Sequence, residues 1–203
     1  MLELYLGLLY QEPELLNLTT VPREQAWSRH LQESLDLLPL RSWAAGERVL
    51  DLGSGGGLPG IPLAIVRPEL EVLLVERDRA KAGFLLRALG LLGLARVGVA
   101  ALDARELARR PDFRPAQVLV SRAAVPPERL LPLAARLLAA PGEALVHVGR
   151  SWAPRPDTLR QAELAGFAAP ALVRSGASRI LRLTLPQPSS TQPGDIASPA
   201  RQT

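Results

Sequence analysis

The fold is decided by one stretch of the chain, Val49-Leu50-Asp51-Leu52-Gly53-Ser54-Gly55-Gly56-Gly57-Leu58-Pro59-Gly60. An apolar run typical of a buried strand ends at an acidic residue and enters a loop with five glycines. A helical segment, Ile61 to Val66, follows the loop. Strand, glycine loop and helix in this order open a nucleotide-binding βαβ unit. Because glycines let a backbone approach a bound molecule closely, the stretch predicts a ligand-binding loop.

Two interpretations of this loop compete. The spacing Gly55-x-Gly57-x-x-Gly60 fits the dinucleotide fingerprint, whereas Asp51-x-Gly53-x-Gly55-x-Gly57 is typical of methyltransferases that use S-adenosyl-L-methionine (AdoMet). AdoMet carries a cationic sulfonium and an amino group, so a carboxylate at the strand end favours it and would repel a pyrophosphate. Pro59 and Pro62 also remove N–H groups that a pyrophosphate needs at a helix start. The sequence therefore favours AdoMet.

Length and composition predict the organisation of the chain. With 203 residues and 47% hydrophobic residues, it is expected to form a single methyltransferase domain over residues 1–185, with a short N-terminal helical extension over residues 1–45. Residues 186–203 are rich in Pro, Ser, Gln and Thr and are expected to be disordered. No apolar run reaches membrane-spanning length and no signal peptide is recognisable, so no membrane association and a cytoplasmic location are expected.

The counts of cysteine, histidine and charged residues narrow the chemistry. The absence of cysteine excludes disulfides, thiolate metal sites and a cysteine nucleophile for C5-methylation of pyrimidines. With only His30 and His147, neither a histidine metal site nor a Ser-His hydrolase is expected. The net charge of +4 comes almost entirely from arginine and suits a polyanion such as RNA. A GC-rich genome produces the same bias, so charge alone leaves RNA binding open.

The rest of the chain alternates strands and helices. Strands are predicted at 49–52, 71–76, 96–101, 117–120 and 144–148, and a closing hairpin at 167–173 and 179–185. Helices are predicted at 23–38, 61–66, 79–92, 103–109, 127–139 and 154–164. This order predicts a Rossmann-like α/β fold, a doubly wound, mostly parallel sheet with helices on both faces. Asp51, Gly53, Glu76, Asp103 and Arg122 fall at the carboxyl ends of predicted strands, where such sheets bind ligands.

Three segments together carry a resemblance to a known family. They are Asn17-Leu18-Thr19 with Arg29-His30 and Ser34, then Asp51 to Leu63, and finally Val120-Ser121-Arg122-Ala123. They resemble the bacterial 16S ribosomal RNA guanine-N7 methyltransferases, also called glucose-inhibited division protein B. The resemblance runs over about residues 15–149, and the Gly-Leu-Pro-Gly-Ile-Pro continuation of the loop is its most specific part. It implies AdoMet-dependent methylation of a guanine in the 530 loop of 16S rRNA, free or in the small ribosomal subunit.

The resemblance also implies a set of site residues. Together with the loop motif, it places AdoMet contacts at Asp51, Gly53, Gly55, Leu58, Glu76, Ala104, Arg105 and Arg122. The chain departs from the family pattern at several of these places. Glu76 replaces the usual Asp, and Arg105 replaces a usual Glu. The usual Leu-Lys-Gly after the fifth strand reads His147-Val148-Gly149, so a lysine is missing, and the N-terminal helix with its usual Trp-Asn is altered.

The implied chemistry needs no general base. Guanine N7 carries a lone pair and no proton, so the enzyme can accelerate methyl transfer by orienting the reactants and by electrostatic stabilisation alone. Arg122 is the candidate catalytic residue, because arginine reads the O6 and N7 edge of guanine; a cofactor contact and a structural role are its alternatives. His30 is expected to pack or cap a helix, and His147 is expected to have a satisfied interior role.

Three other functions stay open at the level of sequence. They are a nicotinamide-dependent oxidoreductase using the glycine fingerprint, a non-catalytic AdoMet-binding RNA module, and an AdoMet-dependent small-molecule methyltransferase. The carboxylate of Asp51 and the two prolines argue against the first. The missing lysine and the short N terminus keep the second open. A monomer is expected in each case.

Overall fold

A computed structural model of the chain describes residues 1–12, 16–122 and 126–188. Most of the predicted disordered tail, and Ala123 of the third motif, lie outside the described residues. The strands are β1 (Arg48–Leu52), β2 (Glu71–Val75), β3 (Val97–Ala100), β4 (Ala116–Arg122), β5 (Leu138–His147), β6 (Ala171–Ser175) and β7 (Ser178–Leu185).

These strands form one sheet with the order β3-β2-β1-β4-β5-β7-β6. The first five strands are parallel to their neighbours, and β7 pairs antiparallel with β5 and with β6. The predicted parallel sheet and closing hairpin are therefore confirmed. The order reverses between β1 and β4, which places the switch point, where such sheets bind ligands, directly after β1 and β4.

Helices cover both faces of the sheet, as predicted. They are α1 (Leu2–Gln11), α2 (Glu33–Leu35), α3 (Gly60–Val66), α4 (Arg79–Leu92), α5 (Ala104–Leu107), α6 (Pro127–Leu137) and α7 (Pro156–Leu164). Side chains alternate along a strand, so Val49 of β1 packs into the core under α1, α3 and α4, and Leu50 packs into the core under α5, α6 and α7. The longest described helix, α4, has 14 residues, and none of the described helices has the length and hydropathy that a bilayer crossing needs.

The boundaries of α4 follow from its caps. Asp78 precedes the helix, and its side chain accepts hydrogen bonds from the backbone N–H groups of Ala80 and Lys81. Gly93 ends the helix with a φ of 64°, a left-handed conformation that suits glycine. Because both signals are local, the predicted helix at 79–92 matches the observed one.

The predicted continuous helix at 23–38 is wrong. The structure has a 3₁₀ turn at Arg23–Gln25, a π-helical segment at Trp27–Gln32, and then the short α2. A π-helix changes the angle between successive side chains, so a 3.6-residue period misplaces them. Trp27, an apolar residue at the start of this segment, is 50% exposed. Beyond α2, Asp36 accepts a 2.7 Å hydrogen bond from the hydroxyl of Ser178 in β7, which fixes this segment to the sheet.

The boundary between α6 and β5 also differs from the prediction. The helix was expected to continue to residue 139 and the strand to begin at residue 144, but β5 begins at Leu138. Pro141 and Gly142 lie inside β5 where its pairing with β4 shifts register. A Cβ on Gly142 would overlap the carbonyl oxygen of Ala139, so glycine permits this irregularity. Proline-glycine pairs occur in turns between elements and also mark bulges within a strand.

Candidate active-site cleft

The carboxyl ends of the parallel strands open into a cleft of about 1420 Å³. Parallel strands end at the same edge of a sheet, so the side chains that follow them converge there. Seven of the eight predicted site residues line the cleft: Gly53, Gly55, Leu58, Glu76, Ala104, Arg105 and Arg122. The eighth, Asp51, does not line it and is fully buried.

The glycine loop after β1 depends on backbone conformations that favour glycine. Gly53, Gly55 and Gly57 have φ values of 71°, 55° and 96°. A Cβ on Gly57 would overlap the side chain of Ile61. A Cβ on Gly55 would meet only the carbonyl oxygen of Gly53, 4.0 Å away, so the cleft side of Gly55 is bare backbone open to a ligand.

Glu76, directly after β2, joins the loop to the next helix. One oxygen of its carboxylate accepts a 2.9 Å hydrogen bond from the backbone N–H of Gly55, and the other accepts one of 2.9 Å from the N–H of Asp78. The side chain is largely buried but borders the cleft. Each carboxylate oxygen has a second lone pair, so Glu76 can also accept hydrogen bonds from ligand hydroxyl groups.

Asp51 lies behind the loop. One oxygen of its carboxyl group accepts a 3.0 Å hydrogen bond from the N–H of Gly60, and the other oxygen has no partner among the described residues. Burial raises the pKa of this carboxyl group to about 7, although the Gly60 hydrogen bond acts against the shift. A Cβ on Gly60 would lie 2.7 Å from the Asp51 carboxylate, so the contact requires glycine. In this arrangement Asp51 acts on the cleft through the position of the loop.

The third strand contributes the start of α5. Asp103 accepts a 2.8 Å hydrogen bond from the backbone N–H of Arg105, as the predicted cap does. Ala104 is buried, and the side chain of Arg105 is exposed at the cleft. The helix predicted at 103–109 is observed as the shorter α5, which ends at Leu107.

Arg122, at the end of β4, is held by the π-helical segment. Its Nη1 donates a 2.7 Å hydrogen bond to the carbonyl oxygen of Arg29, and its Nη2 lies 3.1 Å from Nδ1 of His30. The carboxylate of Glu33 lies 3.7 Å from the same guanidinium. The side chain is 18% exposed and lines the cleft. Both terminal nitrogens of Arg122 therefore already have protein partners.

His30 extends this network to the segment before it. Since Arg122 can only donate, Nδ1 of His30 accepts, and the Nε2–H group donates across 2.7 Å to the hydroxyl of Thr19. That hydroxyl also accepts a hydrogen bond from the N–H of Val21. Burial, reinforced by the charge of Arg122, lowers the pKa of His30 to about 4, so the ring is neutral at pH 7. The first and third motif segments thus meet in one hydrogen-bonded chain.

Helix α1 covers the glycine loop from outside, a role that the sequence did not predict. The hydroxyl of Tyr5, which is fully buried, donates a 2.8 Å hydrogen bond to the carbonyl oxygen of Gly56. Leu9, one turn later, occupies the space that a side chain on Gly56 would need. The hydroxyl of Tyr10 donates to the carbonyl oxygen of Val21, so α1 contacts both the loop and the Thr19 segment. The apolar Tyr5 and Leu9 at helical spacing are the only local signal for this contact.

His147 lies on the wall of the cleft at the end of β5. Its Nε2 donates a 2.8 Å hydrogen bond to the carbonyl oxygen of Glu33, and burial lowers its pKa to about 4. The predicted satisfied interior role is met at Nε2 alone, because Nδ1 is buried without a hydrogen-bond partner among the described residues, and the half-buried residue also borders the cleft. This side of the cleft carries several cations and one aromatic residue: Arg29, Arg129, Arg150, Arg179 and Trp152.

A glycine loop after β1, a carboxylate after β2 and an antiparallel seventh strand define the Rossmann-like fold of AdoMet-dependent methyltransferases. A solved structure, the S-adenosylmethionine-dependent methyltransferase SibL in its apo form, shares this fold with a TM-score of 0.63. The two are 19% identical, and the match covers 81% of this chain and 57% of that chain. The sequence profile of the GidB family, rRNA small subunit methyltransferase G, matches residues 1–162, and the chain belongs to this family. The predicted fold and family are therefore confirmed.

Two curated relatives bear the name ribosomal RNA small subunit methyltransferase G. The protein from Alkalilimnicola ehrlichii is 36% identical over 197 residues, which cover 93% of this chain and 84% of the relative. The protein from Sorangium cellulosum is 48% identical over 107 residues, which cover 52% of this chain and 45% of the relative. The aligned part thus spans about half the length of the second relative and most of the first.

Proposed function

We propose that the protein transfers the methyl group of AdoMet to N7 of a guanine in the 530 loop of 16S rRNA. The observation that supports this most directly is the juxtaposition of two unlike walls in one cleft. One wall is the glycine loop and Glu76, flanked by Arg77, Lys81 and Arg105. The other, beside β5 and β7, carries Arg150 and Arg179. An AdoMet-binding loop beside a surface for a polyanion suits an RNA methyltransferase.

The wall with the glycine loop fits AdoMet. The free lone pairs of Glu76 suit the ribose hydroxyls, and the bare backbone at Gly55 leaves room for close approach. Leu58 offers apolar contact, and Ala104 and Arg105 flank the site at the start of α5. When bound, AdoMet supplies an electrophilic methyl group on its sulfonium.

The opposite wall orients the guanine. Its two histidines, His30 and His147, are neutral and hydrogen-bonded to protein groups, with pKa values lowered to about 4, so they are poor bases near pH 7. A reaction at N7 needs none, because N7 presents a lone pair. Arg122 holds the π-helical segment against β4 through two acceptors, which makes it the residue that fixes this wall. Accurate placement of the acceptor is the main contribution the protein can make to such a transfer.

Methyl transfer from labelled AdoMet to 16S rRNA and to 30S particles, with the modified base identified, tests the proposal. Label in 7-methylguanosine of the 530 loop is the expected result, and the better of the two substrates tells whether free RNA or the subunit is modified. Label on another atom would contradict the N7 assignment. AdoMet binding without methyl transfer to either RNA would favour a non-catalytic module or a small-molecule substrate. Binding of a nicotinamide cofactor in place of AdoMet would favour an oxidoreductase. The proposal includes a monomeric state, which analytical sedimentation tests, and a cytoplasmic location, which cell fractionation tests.

A further inference from the structure

A second cavity, of about 430 Å³, lies at the amino ends of the strands, at the edge of the sheet opposite the cleft. Three arginines line it, Arg48 at the start of β1, Arg96 before β3 and Arg114 before β4. We call this site the rear arginine pocket. Its floor is apolar and includes Leu73 and Gly98, where the missing side chain leaves the sheet surface open.

Positive charge is in excess in the rear arginine pocket. Among its described lining residues Glu71 is the only acidic one, and its carboxylate lies 3.5 Å from Arg96. Arg48 donates a 3.3 Å hydrogen bond to the carbonyl oxygen of Pro115, a neutral partner. Partial burial lowers the pKa of Arg48, and the nearby charge of Arg114 lowers it further. Like charges that converge without enough counter-charge repel one another, and a bound anion relieves the repulsion.

The rear arginine pocket is far from the methylation site. Arg48 begins β1 and Gly53 directly follows its end, five positions later, a distance of about 17 Å at about 3.3 Å per residue. A single nucleotide bound in the cleft cannot reach both places. A longer RNA can, because it carries a phosphate at every nucleotide.

We infer that the rear arginine pocket binds the phosphate backbone of the RNA substrate at a distance from the target guanine; this inference rests on the proposed function. Arg96 and Arg114 are exposed, so their guanidinium groups are available to phosphate oxygens. Phe113, which is partly buried against the core, also lines the pocket and adds an aromatic residue to it. The contact adds affinity for long RNA without reading the target base, as phosphate contacts generally do.

The test compares two double variants with two RNAs. The variant Arg96→Gln/Arg114→Gln removes two exposed cations from the pocket and leaves the more buried Arg48 in place. The control, Arg160→Gln/Arg174→Gln, removes two exposed arginines on α7 and β6, which line neither cavity. Each protein is titrated at several salt concentrations with a short hairpin carrying the 530 loop and with a longer 16S rRNA fragment containing that hairpin. Thermal unfolding and AdoMet calorimetry verify that the variants are folded.

The pocket variant should bind the long fragment about tenfold more weakly near 0.1 M salt, and its slope of log K against log salt should be smaller by about 1.5. Its affinity for the short hairpin and for AdoMet should equal that of the wild type. The control variant should match the wild type throughout. Equal losses in both double variants, or an equal loss on the short hairpin, would overturn the inference, as would no loss on the long fragment. Because the readout is binding, a wild-type protein that binds RNA without methylating it would contradict only the proposed function.

Discussion

The hydroxyl of Tyr5 donates a 2.8 Å hydrogen bond to the carbonyl oxygen of Gly56, so the first described helix fixes the glycine loop that lines the cleft. The phenol is fully buried, and burial raises its pKa above the usual range, so it stays a neutral donor. From the other side, Glu76 accepts from the adjacent N–H of Gly55. The loop is therefore clamped between α1 and the end of β2.

Tyr5→Phe should weaken AdoMet binding by about fivefold, because the buried carbonyl of Gly56 loses its donor at about 1 kcal/mol or more. Tyr10→Phe makes the same chemical change on the same helix but removes a hydrogen bond to Val21. Its AdoMet affinity should match the wild type. Calorimetric titration of both variants checks the difference, and equal AdoMet affinities would mean that α1 does not position the loop.

Gly55→Val should reduce AdoMet affinity at least about tenfold, because the new side chain enters the cleft at a residue whose φ of 55° already strains any side chain. Gly46→Val is the matched control. Gly46 has a φ of 75° in an exposed turn away from the cleft, so this variant should lose stability but keep its AdoMet affinity. Comparison of the melting temperature and AdoMet affinity of the two variants separates strain from obstruction. Equal losses of AdoMet affinity in the Gly55→Val and Gly46→Val variants would show that obstruction of the cleft at Gly55 is not the cause.

Arg122→Lys should lower kcat by about 30-fold to 100-fold, a loss of 2–3 kcal/mol of transition-state binding, with AdoMet affinity nearly retained. A lysine ammonium cannot reach both the Arg29 carbonyl and the His30 ring as the planar guanidinium does. Single-turnover rates at saturating AdoMet provide the measurement. A loss that follows the folded fraction would mean a purely structural role, and one that disappears at saturating AdoMet would mean a cofactor contact.

Asp51→Asn should change the pH dependence of stability in a defined window. Burial raises the pKa of Asp51 from 3.8 to about 7, so between these values the folded protein keeps a proton that the unfolded chain has released. The free energy of unfolding contributed by Asp51 therefore falls as pH rises through the window. The difference in free energy of unfolding between Asp51→Asn and the wild type should therefore shift in favour of the variant from pH 4 to pH 7. Above pH 7 this difference should stay constant.

The two histidines act in the opposite direction but leave this comparison intact. The pKa values of His30 and His147 are lowered from 6.5 to about 4, so their contributions to stability rise with pH between these values. Because both proteins contain them, they cancel in the difference. Urea unfolding of wild type and Asp51→Asn at several pH values gives the result, and parallel curves would contradict a buried titrating carboxyl group at position 51.

Much of the fold and the outline of the site could be predicted from the sequence. Buried parallel strands are continuous apolar runs, and α4 has a cap at Asp78 and a stop at Gly93, so local signals were sufficient. The cleft residues could be predicted because parallel strands bring their carboxyl ends together. Of the residues at predicted strand ends, Gly53, Glu76, Asp103 and Arg122 line the cleft, and Asp51 does not.

Contacts between distant segments could not be predicted in this way. Nothing near Tyr5 in the sequence indicates the carbonyl of Gly56, 51 residues away. The π-helical segment departs from the 3.6-residue period on which helix prediction depends, so its irregular geometry could not be predicted. Asp51 shows a third limit, because its position in the motif indicates the loop but not on which side of the loop its carboxyl group lies.

The bonds that fix the π-helical segment and α2 to the sheet have a consequence for synthesis on the ribosome. The pairs His147–Glu33 and Ser178–Asp36 are 114 and 142 residues apart, so the early partner of each leaves the exit tunnel long before the late one is translated. The hydrogen bonds that hold the glycine loop and the end of β1 come from α1, Glu76 and β4, all of which precede β7 in the chain. The growing chain can therefore form the glycine-loop side of the cleft first, and the contacts of His147 and Ser178 close only after β5 and β7 have emerged. A nascent chain halted before β7 has the glycine loop but lacks the hydrogen bond that fixes Asp36 to the sheet.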